Sequence, residues 1–498
     1  MRTKKPSALL LPALAALTTA ACTLPTGPLG PAHVTVSSLL SGSGAMRLTG
    51  LKAGEGEVAV PLSGDHAAFL SFHAREAGAE KLAVNIQRSP SAYKVQGLKT
   101  PAADAPFEQR LREIERRLPP REASYQLQAT TGYAEGDTDR FWVIEDVSDG
   151  ELTETEITAR ARYVGKHCYV FVDEELAAGA MDERIAMIGR TFDEQIFPTN
   201  ARLFGEPLAS GVNGDGRITL LISPAVGSYG QDSTIGYFTL RDLYTPEAAP
   251  EVPLLERSNR RLMLYISSMV VGRGQPADYL GTIAHELQHL INASQRLFRS
   301  SGPARPEDLW LDEGLAMYAM EANGYGLGES GSVVFNHVLA YQLNPGAYSL
   351  TEWRLNPEES AYGAVYLFTS YLADRFGEDM LKELVSAGDR GVANVEAALA
   401  RRGESFAGVF GDWTAATLLD DTGLTTDARY QYRRLNMLGR YGDRQLRGVR
   451  LSPVTLPNTG DLRFKPFSAH YYYVPRGSGG TYRFSLSGEA RFMQKWLD

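Results

Sequence analysis

The feature that most constrains the fold is a long amphipathic segment near the middle of the chain. From Gln275 to Phe298, apolar residues recur at every third or fourth position, which places them along one stripe of an α-helix. Pro276 suits the first turn of such a helix, and Asp278 is a suitable cap or first-turn acid. We therefore predict one helix that packs into a core. Its apolar stripe consists of Leu280, Ile283, Ala284, Leu287, Leu290 and Ile291.

Two histidines lie on the flank of this stripe. His285 and His289 are four residues apart, so their side chains project from successive turns of the helix and can bind one metal ion. Glu286 is rotated by about a third of a turn from His285, where its carboxylate can reach a metal-activated water without binding the metal. We predict a single catalytic Zn²⁺ with His285 and His289 as ligands and Glu286 as general base. The alternative is a pair of structural histidines on a helix surface.

A catalytic zinc needs a third protein ligand and one open position. A histidine six residues after His289 is excluded, because Gln295 occupies that place. The next predicted helix contains residues 310–318, Trp-Leu-Asp-Glu-Gly-Leu-Ala-Met-Tyr, which resemble the Asn/Asp-Glu-Gly motif of the gluzincin metallopeptidases. That resemblance implies Glu313 as the third ligand. Asp312, as an acid beside the site, is the alternative.

Longer stretches around these residues carry a closer resemblance. They are residues 284–292, 310–318 and 362–377, with weaker similarity at 212–218 and 258–266. Over roughly residues 160–420 the chain resembles the hyicolysin-type family of bacterial extracellular metallopeptidases, which belong to the gluzincin group. The resemblance implies a thermolysin-like catalytic core and endopeptidase activity on proteins. It also implies the ligand set His285, His289 and Glu313, with Glu286 as base.

A peptidase also needs a hydrogen-bond donor for the carbonyl oxygen that gains negative charge during the reaction. Tyr362 is the first candidate, because its position resembles the tyrosine-containing helix of aminopeptidase gluzincins. Tyr366 and His337 are the other candidates. Tyr362 and Tyr366 are four residues apart and could instead pack in the core. Asn292, one turn after His289, could orient a ligand or lie on the helix surface.

The strand and helix patterns predict an α+β protein with several regions. Residues 34–178 alternate in short strand-like runs and are expected to form a β-rich N-terminal domain, either accessory or a propeptide. Residues 179–422 are expected to form the catalytic domain, with a small sheet, the zinc helices and a helical C-terminal subdomain. Residues 423–498 are expected to form a small β-rich C-terminal module.

Further helices are predicted outside the zinc-binding segments, including Tyr362 to Phe376 and Asp379 to Val385. A charged helix is expected from Phe107 to Leu118, within the β-rich N-terminal region. An amphipathic helix is expected from Met181 to Ile196, ending near Pro198.

The N-terminus has the layout of a bacterial export signal. Residues 1–21 combine basic residues with a short apolar stretch, and residues 22–33 are expected to form a tether. Small residues before Cys22 resemble a lipobox, although Thr19 departs from the leucine usual there. We therefore expect an exported protein, either a lipoprotein of the cell envelope or, after ordinary cleavage, an extracellular protein.

Charge and cysteine content limit the possible partners. The formal net charge is −9, and Lys and Arg cluster only at the extreme N-terminus, so nucleic acid binding is not expected. The chain has two cysteines; if Cys22 is lipidated, Cys168 has no intramolecular partner, and its apolar surroundings predict a buried thiol. Proteins or peptides are the expected substrates, and the membrane is expected as a partner only through a lipid at Cys22. The sequence gives no indication of oligomeric state.

These features favour an exported zinc-dependent endopeptidase over two alternatives. The first alternative is an inactive, peptidase-like binding protein of the envelope, and the intact Glu286 argues against it. The second is an aminopeptidase-type gluzincin. Such enzymes carry an amine-recognition motif before the zinc helix, and residues 262–278 show no clear one.

Overall fold

A computed structural model describes most of the chain between residues 33 and 487. The gaps in this range are 41–45, 53–56, 63–67, 75–82, 88–106, 119–131, 149, 178, 180, 208–211, 228–233, 300–305, 331, 354–360, 454–457, 464 and 475–479. The predicted export signal and Cys22 lie outside the described residues. Within the described part, no helix has both the length and the apolar character that a membrane crossing requires.

A mixed six-stranded sheet lies beneath the candidate site. Its strands are, in spatial order, β10 (Gly236–Tyr237), β11 (Met263–Ser267), β9 (Ile218–Ser223), β8 (Cys168–Asp173), β7 (Glu151–Val164) and β6 (Thr138–Ser148). Strands β11, β9 and β8 are parallel neighbours, while β10, β7 and β6 pair in antiparallel fashion. The three parallel strands are buried along their whole length, as expected for continuous apolar runs covered on both faces.

The helices occupy mainly the region after β8. They are α1 (Phe107–Glu115), α2 (Asp182–Thr191), α3 (Phe197–Phe204), α4 (Ser268–Arg273), α5 (Pro276–Arg299), α6 (Leu309–Ala322), α7 (Val333–Leu343), α8 (Ala361–Phe376), α9 (Asp379–Ser386), α10 (Gly391–Ala400) and α11 (Phe406–Leu419). Short 3₁₀ turns are found at Leu240–Leu243, Pro246–Ala248, Pro253–Arg257, Pro345–Ala347 and Ala428–Tyr430.

Helix α5 is the predicted long helix. It begins at Pro276, and the Asp278 carboxylate accepts a hydrogen bond from the Gln275 backbone N–H at 2.7 Å, which satisfies one of the unpaired donors of the first turn. Every residue from Tyr279 to Leu297 is buried. The helix is therefore covered on all sides and is more deeply enclosed than one apolar stripe would require.

The two faces of the six-stranded sheet pack against different helices. On one face, sheet residues such as Leu220 and Leu264 share a core with Ile283 and Leu287 of α5. The opposite face, which includes Tyr237, packs against α1. The apolar residues of α1 thus belong to a different core cluster from those of α5.

The helix predicted from Met181 continues beyond its predicted end. After α2, a π-helical turn, Phe192–Ile196, leads directly into α3, which extends to Phe204. The prediction that the helix ends near Pro198 is wrong. Pro198 is the second residue of α3, directly after the π-helical turn, so its missing N–H coincides with a change in hydrogen-bond register and the chain stays helical.

Strands from the two ends of the described chain pair with each other. One sheet has the order β14 (Ser452–Pro453), β16 (Ser468–Val474), β4 (Ala68–Ala74), β1 (His33–Leu40) and β2 (Met46–Lys52). A second has the order β15 (Asn458–Arg463), β5 (Ala83–Gln87), β17 (Gly480–Ser487) and β3 (Glu57–Leu62), and β12 (Arg440–Tyr441) pairs with β13 (Arg444–Gln445).

The strand pairing connects regions that the sequence analysis assigns to different domains. Both end sheets join strands of the predicted N-terminal domain to strands of the predicted C-terminal module. The six-stranded sheet also extends across the predicted boundary at 178–179, because β8 and β9 are hydrogen-bonded neighbours. The division into domains stays a prediction. The α+β class is confirmed, and the curled sheet with its helical layer is consistent with a thermolysin-like core.

Candidate active site

Two adjacent helices bring the predicted ligands together. The Nε2 atoms of His285 and His289, both on α5, are 3.0 Å apart. Oε2 of Glu313, on α6, lies 3.3 Å from His285 Nε2 and 3.6 Å from His289 Nε2. Ligand atoms bound about 2.1 Å from a tetrahedral zinc are about 3.4 Å from one another. The three side chains therefore fit one zinc ion.

A glycine allows α6 to approach α8 closely at this point. A Cβ atom on Gly314 would lie 3.0 Å from the backbone oxygen of Val365 and would clash with the Thr369 hydroxyl. Because Gly314 follows Glu313 directly, the close packing of α6 on α8 fixes the position of the ligand carboxylate. The glycine of the Asp-Glu-Gly sequence thus has a packing role.

The electrostatics of the cluster favour a positive charge between the three side chains. Burial alone would raise the pKa of Glu313, but the neighbouring His289 and His285 hold it well below its usual range. Burial would likewise lower the pKa of both histidines, but Glu313 next to His285, and Asp312 and Glu313 next to His289, raise these pKa values instead. A buried carboxylate needs such a compensating cation, which a bound metal ion would supply.

Glu286 lies beside the cluster without being one of its three close ligands. Its side chain is buried, and its charge acts on His285 and on Tyr362. Among the residues that the structure describes, its Oε2 atom has no hydrogen-bond partner. A buried carboxylate oxygen in this condition can accept a proton or a hydrogen bond from a molecule that enters the site.

Behind His289, a chain of polar contacts leads away from the cluster. Asp312 Oδ2 lies 2.9 Å from His289 Nδ1, and Asp312 Oδ1 accepts a hydrogen bond from Asn292 Nδ2 at 2.5 Å. Asn292 Oδ1 accepts in turn from Arg296 Nε at 3.1 Å, and Arg296 pairs with the buried Glu307. Asp312 is thus placed to orient an imidazole, and Asn292 reaches the histidine only through Asp312.

The three candidate donors lie in different environments. The Tyr362 hydroxyl points towards the cluster and donates to Oε2 of Glu108 at 3.1 Å. The Tyr366 hydroxyl is buried and donates to Oε2 of Glu321 at 2.8 Å, so it is already engaged elsewhere. The His337 ring packs against the ring of Tyr362, with centroids 5.0 Å apart. Of the three, Tyr362 has its polar group directed at the site.

Glu108 is a member of the cluster that sequence reasoning missed. It lies on α1, and its ligand atom and those of His285, His289 and Glu313 are all within 4.8 Å of one another. Burial, followed by the charges of Glu313 and Glu286, raises the pKa of Glu108 to about 8. The helix itself was predicted, but no spacing in the sequence relates it to the zinc helices.

A cavity of about 620 Å³ opens next to the cluster. His289, Asp312 and Arg112 of α1 are among the residues that line it. The lining is mostly polar and charged, with a few aromatic residues such as Phe238 and Trp353. A cavity of this size can hold several side chains of a peptide.

Comparison with known proteins adds evidence from the sequence. No protein-family model matches the chain. A curated relative, the neutral metalloprotease ShpI of Staphylococcus hyicus, is 30% identical over 245 residues, which cover 46% of this chain and 50% of the relative. The chain thus spans about half the length of that relative. This similarity confirms that the chain resembles the hyicolysin-type metalloproteases.

Proposed function

We propose that the protein is an exported zinc-dependent endopeptidase of the gluzincin type. The observation that carries this proposal is the triangle of ligand atoms from His285, His289 and Glu313, with edges of 3.0, 3.3 and 3.6 Å. The similarity to a neutral metalloprotease supports the reaction class. Proteins or peptides are the proposed substrates.

Each side chain has a role that follows from its position. His285, His289 and Glu313 hold one zinc ion, which when bound supplies a Lewis acid able to make water nucleophilic near neutral pH. Glu286 accepts the proton of that water and delivers it to the leaving amine. Tyr362 donates a hydrogen bond to the carbonyl oxygen as this oxygen gains negative charge. Asp312 orients His289 through Nδ1.

The roles of Glu286 and the ligands can be separated experimentally. Glu286→Gln keeps the ligand set but removes the base, so we expect zinc content to stay the same while casein cleavage falls by about 10²- to 10⁴-fold. Glu183→Gln, at an exposed acid of α2, serves as the matched control and should leave both unchanged. Casein cleavage that is unaffected by Glu286→Gln and by a chelator would rule out the proposed reaction.

A second substrate distinguishes the two kinds of peptidase. An endopeptidase is expected to cleave casein and internally quenched peptides with blocked ends, whereas an aminopeptidase requires a free α-amino group. Assays with a blocked peptide and a free-amine dipeptide, each with and without chelator, make this comparison. A preference for the dipeptide would favour the aminopeptidase, and zinc binding without any cleavage would favour the inactive binding protein.

Export is the part of the proposal that rests on the sequence alone. We propose cleavage of residues 1–21 and a lipid at Cys22, which would anchor the protein to the cell envelope. Mass analysis of the mature N-terminus tests this directly. Cys22→Ala should release the protein from the membrane fraction, and an unmodified Cys22 in the mature protein would contradict the lipid anchor.

A further inference from the structure

Helix α1 directs its polar face into the candidate site. Glu108, Arg112 and Glu115 lie on successive turns of that face. Glu115 anchors the far end, because its carboxylate accepts hydrogen bonds from the Thr239 hydroxyl at 2.6 Å and from the Leu240 N–H at 2.7 Å. These two donors, bound by Glu115, and the Glu108 contacts hold the helix along the site.

The opposite face of α1 is buried on the six-stranded sheet. Phe107, Leu111 and Ile114 belong to the core cluster on that face of the sheet, and the ring centroids of Phe107 and Tyr237 are 5.3 Å apart. The helix is therefore fixed on two sides. Glu108 sits next to one of these buried residues, so its position is determined by packing and not by the carboxylate alone.

Between these two ends, Arg112 lines the cavity next to His289. Its guanidinium lies over the ring of Phe238, 5.4 Å from the centroid, and donates to Glu115 at 2.8 Å. The positive charge of Arg112 also acts on Asp312, the carboxylate behind His289.

Glu108 engages two groups that the proposed reaction needs. One of its carboxylate oxygens lies within 4.8 Å of the ligand atoms of His285, His289 and Glu313, next to the position that a bound metal ion would occupy. Four protein ligands make a closed zinc site of the structural kind, whereas a catalytic site keeps one position open. The same carboxylate accepts the hydrogen bond of Tyr362, the proposed donor to the substrate carbonyl.

We propose that α1 keeps the protein in a latent state in which Glu108 takes the open position on the zinc and engages Tyr362. The proposal rests on the zinc-peptidase function proposed above. Substrate can then bind only when Glu108 has withdrawn. The apparent affinity for any ligand of the open position is therefore the intrinsic affinity multiplied by the fraction of molecules in which Glu108 has withdrawn.

The test uses the full chain loaded with cobalt(II) in place of zinc. Acetohydroxamate is the probe, because it coordinates an accessible metal and changes the visible absorption of cobalt. We expect Glu108→Ala to bind acetohydroxamate at least tenfold more tightly than the wild-type chain does. Glu113→Ala, which removes an exposed acid from the same helix, is the matched control and should behave like the wild type.

Activity provides a second readout on zinc-loaded protein. Glu108→Ala should cleave a quenched peptide at least tenfold faster than the wild type, and adding Glu286→Gln to it should remove that gain. Glu115→Ala keeps Glu108 but removes the hydrogen bonds that Glu115 accepts from Thr239 and Leu240. It should also tighten acetohydroxamate binding and speed peptide cleavage, each by a smaller factor than Glu108→Ala does. This variant covers the case in which Glu108→Ala does not fold.

The outcomes separate latency from the underlying function. If wild type and Glu108→Ala both bind cobalt, and acetohydroxamate affinity and peptide cleavage are the same in both, latency is overturned while the zinc-peptidase proposal stands. If the folded wild-type chain binds neither zinc nor cobalt, the proposed function fails, and the inference fails with it.

Discussion

At the residue scale, the three proposed ligands could be predicted better than their surroundings. The His-Glu-x-x-His spacing and the Asp-Glu-Gly motif predicted three residues that the structure places within 3.6 Å of one another. Glu108 could not be predicted in the same way, because its position depends on how α1 packs on the sheet. A local pattern specifies the contacts within a helix and not those between distant segments.

Asp312 gives the first prediction at this scale. Asp312→Ala should weaken zinc binding by about 10- to 100-fold, because His289 loses the carboxylate that orients its ring. Asp312→Asn keeps an acceptor oxygen and should have a smaller effect. Competition with a chromophoric chelator measures the affinity. Asp379→Asn, at an exposed acid of α9, is the control and should bind zinc like the wild type. If Asp312→Ala also binds zinc as tightly as the wild type does, Asp312 does not orient His289.

At the element scale, the sequence predicted which segments are helices but not how closely they approach each other. Helix α5 was predicted within one residue at each end because its apolar residues recur over many turns. The sequence does not predict the continuation of α2 through a π-helical turn into α3, because Pro198 indicates a helix end. The approach of α6 to α8 depends on Gly314, whose packing role appears only in three dimensions.

Gly314 provides the prediction for the elements. Gly314→Ala should push α6 away from α8, destabilise the fold by about 1–3 kcal/mol and speed zinc loss, because Glu313 moves with the helix. Thermal unfolding and zinc release into a chelator measure the two effects. Gly328→Ala is the control, since the added methyl group meets nothing within 4 Å. An unchanged melting temperature in Gly314→Ala would show that the contact between α6 and α8 can accommodate the added methyl group, which would contradict this prediction.

At the scale of the whole molecule, distant parts of the chain meet around single side chains. Glu378, just before α9, accepts from Arg202 of α3 at 2.7 Å, from Tyr318 of α6 at 2.9 Å and from Arg434 at 2.6 Å. The pairing of strands near both ends is another such contact. Neither could be predicted from the sequence, because no local pattern specifies which distant strands or charges become neighbours.

Glu378 predicts a pH dependence of stability. Burial would raise its pKa, but Arg202, Tyr318 and Arg434 together hold the pKa below the ordinary value of 4.5. The folded state therefore favours the charged carboxylate, and this stabilisation is present above pH 4.5 and is lost as the pH falls through the lowered pKa. Because the cluster is partly exposed, we expect at most about 1 kcal/mol.

Glu378→Gln tests this dependence by chemical denaturation at several pH values. The variant should be less stable than the wild type at pH 7, and the difference should shrink as the pH is lowered from 5 towards 3. Glu194→Gln, at an exposed acid, should show neither effect. A difference between Glu378→Gln and the wild type that stays constant with pH would contradict the role of the charge.

Zinc content tests the proposed active site most directly, because the proposed function depends on one metal ion held by α5 and α6. Wild type, Glu286→Gln and Glu313→Gln are purified in parallel, dialysed against the same low zinc concentration and analysed by elemental mass spectrometry. We predict one zinc per chain in the first two and a large loss in Glu313→Gln, which keeps the shape of the side chain but not the charge of a ligand. Equal zinc content in all three proteins, or no zinc in the folded wild type, would contradict the proposed zinc site.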